Sequence, residues 1–115
     1  MVDESIAVIV RKYLSNLRQR GLPVTCGVLF GSQVQGKADQ WSDIDLLVIS
    51  PRFDEIRQRS DINFLWHVAA RTDSRIEPIP VGQRQFQTDD SSAIIEIARR
   101  EGQVITLPAG KKDAS

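Results

Sequence analysis

Residues 29–49, LFGSQVQGKADQWSDIDLLVI, constrain the chain more than any other stretch. An apolar run breaks at Gly31-Ser32, a polar segment with a second glycine (Gly36) follows, and Asp43-Ile44-Asp45 opens another apolar run. This pattern predicts a strand, a tight turn, a short polar helix or loop, and a second strand. Residues two apart on a strand face the same way, so Asp43 and Asp45 are expected to project side by side. Facing carboxylates repel and raise one another's pKa, which calls for a cation to offset them. Mg²⁺ suits such a place, because it is held by one or two carboxylates together with substrate phosphates. Gly31 lets the backbone approach a ligand closely, and N–H groups at a turn or helix N-terminus cradle an anion. Together these features point to chemistry on a metal-bound phosphate. The plain alternative is an ordinary turn followed by a surface Asp pair.

The string GSQVQGKADQWSDID resembles the Gly-Ser…Asp-x-Asp signature of the DNA polymerase β-like nucleotidyltransferase superfamily, and the short chain is similar to its minimal branch. The resemblance implies an α/β (α+β) fold, a small mixed sheet with helices packed on it. It also implies a third carboxylate on a strand beside Asp-x-Asp, and Glu77 is the only acid in the strand-like run RIEPIPV. On this reading Asp43, Asp45 and Glu77 hold two Mg²⁺ ions and act as the catalytic residues. Gly31 and Ser32 hold the phosphates of ATP or another NTP. The reaction moves a nucleoside monophosphate, AMP from ATP, to an acceptor hydroxyl. Relatives often carry Arg or Lys after Gly-Ser; here Gln33 and Gln35 stand there, and Lys37 is the nearest cation. That departure is expected to weaken triphosphate binding.

Minimal members are commonly paired with a helical HEPN protein, often as antitoxin to its ribonuclease toxin, and some adenylylate a tyrosine of that partner. Two other readings stand beside this one. The chain is a non-catalytic subunit that masks a partner, or it modifies a small molecule of the antibiotic type, with a partner or a homodimer completing the pocket.

Composition narrows the field. The 115 residues suit one domain, taken as residues 1–107 with a polar tail over 108–115. Fifteen basic and fifteen acidic residues balance, which argues against a broad basic footprint for nucleic acid. One cysteine, Cys26, forbids an internal disulfide and reads as a small buried hydrophobe. One histidine, His67, excludes a multi-histidine zinc site and is expected at the surface. No basic leader or membrane-length apolar run is present, so a cytoplasmic location is expected.

Periodicity places the remaining elements. Residues 4–20 repeat apolar side chains at helical spacing, with Asp3 or Ser5 to cap the start and Gly21-Pro23 to end it. Arg11, Lys12, Arg18 and Arg20 then fall mostly on a solvated outer face. Strands are expected over 24–30, 44–50 and 75–81, the last at an edge because Pro78 and Pro80 lack donors. Ser32 is expected to cap a short helix over 33–37. Residues 54–71 read as a helix broken near Ser60, with Ile62, Leu65, Trp66 and Ala69 inside. Trp41 is expected to pack under its loop rather than stack on a base. Residues 83–90 read as a polar connection anchored by Phe86, followed by a helix capped by Ser91 or Ser92 and a short strand over 104–107.

Overall fold

The computed structural model describes residues 2–55 and 57–108. Among these the chain forms α1 (Glu4–Gln19), β1 (Cys26–Phe30), α2 (Ser32–Gln35), β2 (Ile44–Ser50), a 3-10 turn (Pro51–Asp54), α3 (Arg59–Thr72), β3 (Ile76–Gly82), α4 (Gln83–Thr88), α5 (Ala93–Glu101) and β4 (Gln103–Ile105). The sheet runs β3-β2-β1-β4. β1 lies antiparallel to β2 and β4, and β2 lies parallel to β3. This is the expected mixed sheet with helices on it. The expected polar tail falls, beyond Pro108, outside the described residues.

Alternating strand residues feed two cores. Ile44, Leu46 and Val48 of β2 join Leu29 and Ile76 under α1 and α3. Leu47 and Ile49 join Val28 and Val81 under α5, with Phe86 of α4 at the margin. Apolar residues on both faces of β2 mark a sheet covered on both sides, and each fully buried Leu or Ile contributes about 1.5–3 kcal/mol. Tyr13 ties α1 to α3 by donating its hydroxyl to the Leu65 carbonyl at 2.9 Å.

The helix ends follow local chemistry. Asp3 caps α1 by accepting from Ser5 N–H at 2.8 Å. At the other end Gly21 N–H bonds Arg18 O and Leu22 N–H bonds Leu17 O, a Schellman closure that buries Leu22. Ser92 caps α5 through Ile95 N–H. The break expected near Ser60 falls earlier: the 3-10 turn ends at Asp54 and α3 starts at Arg59, with Ser60 inside it.

β3 forms the edge expected from its prolines. Ile44 N–H donates to Arg75 O, so the odd-numbered residues of β3 turn their backbone toward β2. Pro78 and Pro80 turn theirs outward, where a missing donor breaks no bond and the ladder runs over seven pairs.

Several expectations fail for tertiary reasons. Arg18 is not simply solvated, because it donates to Pro108 O and Val24 O. In α3 the buried residues are Leu65, Val68 and Ala69, while Ile62 and Trp66 are 38% and 47% exposed. The connection at 83–90 contains α4, whose first turn is capped from 30 residues away. Asp54 accepts Arg84 N–H at 2.9 Å and Gln85 N–H at 3.1 Å. A Cβ at Gly82 would land on Asp54 Oδ1, so only glycine admits this cap.

Candidate active site

All five residues singled out in the sequence gather at one end of the sheet. Gly31 follows the last residue of β1. Asp43 and Asp45 stand at the start of β2, which runs back antiparallel from that end. Glu77 is the second residue of β3, parallel to β2. The register makes the grouping specific, since Phe30, Asp45 and Glu77 pair in one row across three strands. Neighbouring strands lie about 4.8 Å apart and paired residues share a face, so Asp45 and Glu77 stand side by side.

Gly31 fixes the turn. Its φ of +77° and ψ of −149° lie in a region that essentially only glycine occupies. A Cβ there would come within 2.5 Å of Asp45 Oδ2. The anion turn and the carboxylate therefore touch, and a side chain would separate them. Gly31 also takes the N-cap position of α2, with Ser32 the first helical residue. The expectation that Ser32 caps the helix is corrected: no side chain caps it, and Ser32 is half-buried in the turn itself. First-turn N–H groups have no partner within a helix, which suits them to an anion.

Asp43 departs from expectation in one respect. β2 begins at Ile44, so Asp43 precedes the strand and is exposed, while Asp45 and Glu77 are half-buried. The electrostatics still join all three. Burial first, then the Asp43 charge, pushes the Asp45 carboxyl above its usual range. Burial, a side-chain contact with Asp43 and the charges of Asp43 and Asp45 push Glu77 up as well. In both, burial is the larger cause and the neighbouring carboxylates add to it.

The donor chemistry suits Mg²⁺: Asp45 and Glu77 pair in register on adjacent strands, and Asp43, just before β2, contacts Glu77. Among the described residues, however, no group of three or more His, Cys, Asp or Glu side chains is gathered so as to hold a metal ion by itself. An open carboxylate set matches a metal that takes its remaining ligands from water and phosphate.

Of three further residues at this end of the molecule, Arg75 was not read from the sequence as part of it, and Gln33 and Trp41 stand otherwise than expected. Gln33 is 6% exposed and donates its side-chain amide to Asp43 O at 3.2 Å and Ser42 O at 3.5 Å. It occupies a place where relatives often carry a cation, yet here it is a buried strut. Arg75, held by Asp73 at 2.9 Å, donates to Gln40 O at 3.2 Å. Trp41 is 78% exposed, so the expectation that it packs under the loop is wrong. The loop satisfies its own backbone instead, with Asp39 accepting Trp41 N–H and Asp39 N–H donating to Ser42 Oγ. His67 is exposed as expected, whereas Cys26, expected to be buried, is a half-buried free thiol at the start of β1 whose pKa burial raises.

The sheet end sets the Gly31 turn against carboxylates on adjacent strands, and the class of protein follows from the comparison. The nucleotidyltransferase domain model matches residues 10–105, and the chain belongs to that family. No curated protein matches it in sequence. Among solved structures it is similar to a protein from Sulfolobus solfataricus described as a candidate nucleotidyltransferase, at TM-score 0.57 and 13% identity over 85% of this chain and 77% of that one. A toxin–antitoxin structure solved with AMP-PNP aligns at TM-score 0.57 and 19% identity, over 86% and 74% of the two chains. A mutant of the MntA–HepT toxin–antitoxin aligns at TM-score 0.56 and 21% identity, over 95% and 76%. These likenesses establish the shared fold. No described helix is long and apolar enough to cross a membrane.

Proposed function

We propose that this chain transfers a nucleoside monophosphate, AMP from ATP, to a hydroxyl of a partner protein, as the antitoxin of a toxin–antitoxin pair whose other member is a HEPN-type helical protein. The observation that carries the reading is the contact of Asp45 with Gly31, with Glu77 in register beside it. One sheet end thereby offers an anion turn and three carboxylates. The solved relatives support the partner class, because several are toxin–antitoxin complexes and one was solved with AMP-PNP.

Asp43, Asp45 and Glu77 would hold two Mg²⁺ ions, which supply charge neutralisation at the leaving pyrophosphate and activation of the acceptor hydroxyl. The protein's own groups do the rest. N–H groups of Gly31 and Ser32 hold the phosphates in the position that the left-handed turn fixes. Glu77, in register beside Asp45, takes the acceptor proton.

The non-catalytic reading rested on Gln33 and Gln35. Gln33 proves to be a buried strut, and only the exposed Gln35 remains as a missing cation. Incubation with labelled ATP, Mg²⁺ and the helical partner tests the proposal. Label on the partner is expected. Label only on a free small-molecule hydroxyl would favour the antibiotic-type reading, and no label on any acceptor would favour the binding subunit.

A further inference from the structure

Resting on that functional reading, we infer that Gln33 is a positioning residue, which aims Asp43 at the phosphate site by tying the anion turn to the backbone that carries it. Asp43 is the one site carboxylate that the sheet does not hold. Asp45 is paired with Phe30 on one side and Glu77 on the other, and edge-strand Glu77 is paired with Asp45, whereas β2 begins one residue after Asp43. Something else must fix it.

Beside the loop's own Asp39 bonds and the Ile44 N–H bond to Arg75 O, two side chains from outside the loop tie this segment. Arg75 holds Gln40 from the side of β3, three residues ahead of Asp43. Gln33 holds Asp43 itself: a single side-chain amide nitrogen reaches both the Asp43 and Ser42 carbonyls. Gln33 sits in the first turn of α2, one residue after Ser32, so the element that would receive the phosphates also places the carboxylate. Its burial restricts the side chain and makes the tie geometric rather than a passing surface contact. Ligands oriented from behind in this way lose about 10–100-fold in metal affinity or activity when the orienting group is removed.

The chemistry selects the test variant. Gln33→Met keeps the length and volume but removes the donor. The carbonyls it releases belong to half-buried Ser42 and exposed Asp43, which water can reach, so the fold should persist. Titration of Mg²⁺ into the ATP complex by calorimetry should show a midpoint raised about 10–100-fold, with the metal-free melting temperature near that of the wild type. Amide hydrogen exchange over residues 38–43 of the metal-free proteins is the second readout, and it should quicken in Gln33→Met.

An unchanged midpoint or unchanged exchange would overturn the inference. A variant that melts far below the wild type would make Gln33 a residue of the fold and overturn it equally. If wild-type protein binds no Mg²⁺ with ATP but exchange still quickens, the functional reading fails while the positioning of Asp43 stands.

Discussion

Gly31 meets two demands at once: a left-handed backbone at the end of β1, and room for the Asp45 carboxylate against it. Gly31→Ala is expected to lower stability by about 1–3 kcal/mol from the backbone conformation alone. It should also weaken nucleotide binding, since the new methyl displaces Asp45; thermal melting and calorimetry measure the two effects separately. The carboxylates carry the opposite sign. Asp43→Asn or Asp45→Asn should abolish transfer yet leave the metal-free melting temperature equal or higher, because one of several facing charges is gone. Their pH dependence follows from the raised pKa values of Asp45 and Glu77. Folded protein holds these protons to higher pH than the unfolded chain does. The pair therefore costs stability above its folded pKa values, and the cost fades as pH falls through them. In EDTA, Glu77→Gln should melt slightly above the wild type at neutral pH, with the difference shrinking toward zero on acidification. The difference is small, because Glu77 is half-exposed and screened.

At the scale of elements, α4 depends on a cap that no local sequence supplies. Asp54→Ala should lower the melting temperature and loosen α4, whereas Arg84→Ala should not, since its guanidinium is 83% exposed and 4.0 Å from Asp54. Hydrogen exchange over Gln83–Thr88 distinguishes the two variants. That dependence also explains why α4 read as a connection: its only large apolar residue is Phe86, and its cap comes from the 3-10 turn. Long periodic elements were legible. The α1 face, the whole of β2 and the edge character of β3 followed from spacing and from two prolines. Trp41, Ile62 and Trp66 misled because hydrophobicity was taken as burial, while the cores were already filled by shorter chains. The Gly31 turn and the Asp43-x-Asp45 pair were legible because turn chemistry and residue spacing are local, whereas Glu77 was named through the family resemblance, its pairing with Asp45 being long-range. Gln33 and Arg75 were not, because a buried amide reaching a carbonyl ten residues away and a guanidinium reaching one 35 residues away leave no mark in the pattern.

At the scale of the whole molecule, the proposed reading gives the chain a place for a nucleotide and assigns the acceptor's placement to a partner. Holding both reactants in line supplies roughly 7–11 kcal/mol of a barrier, so the purified chain alone should transfer AMP poorly and a partner should restore the rate. The outer edge of β3 beside Glu77 is the docking place favoured here. Because Pro78 and Pro80 turn their missing donors outward, a partner would engage it through side chains rather than by adding a strand. All of this presumes that the gathered sheet end binds a metal–nucleotide complex. Calorimetry of ATP binding, with Mg²⁺ and with EDTA, on the wild type and Asp45→Asn, tests that claim most directly. Binding that requires Mg²⁺ and is lost in Asp45→Asn is the expected result; equal affinity in EDTA, or full affinity in Asp45→Asn, would contradict it.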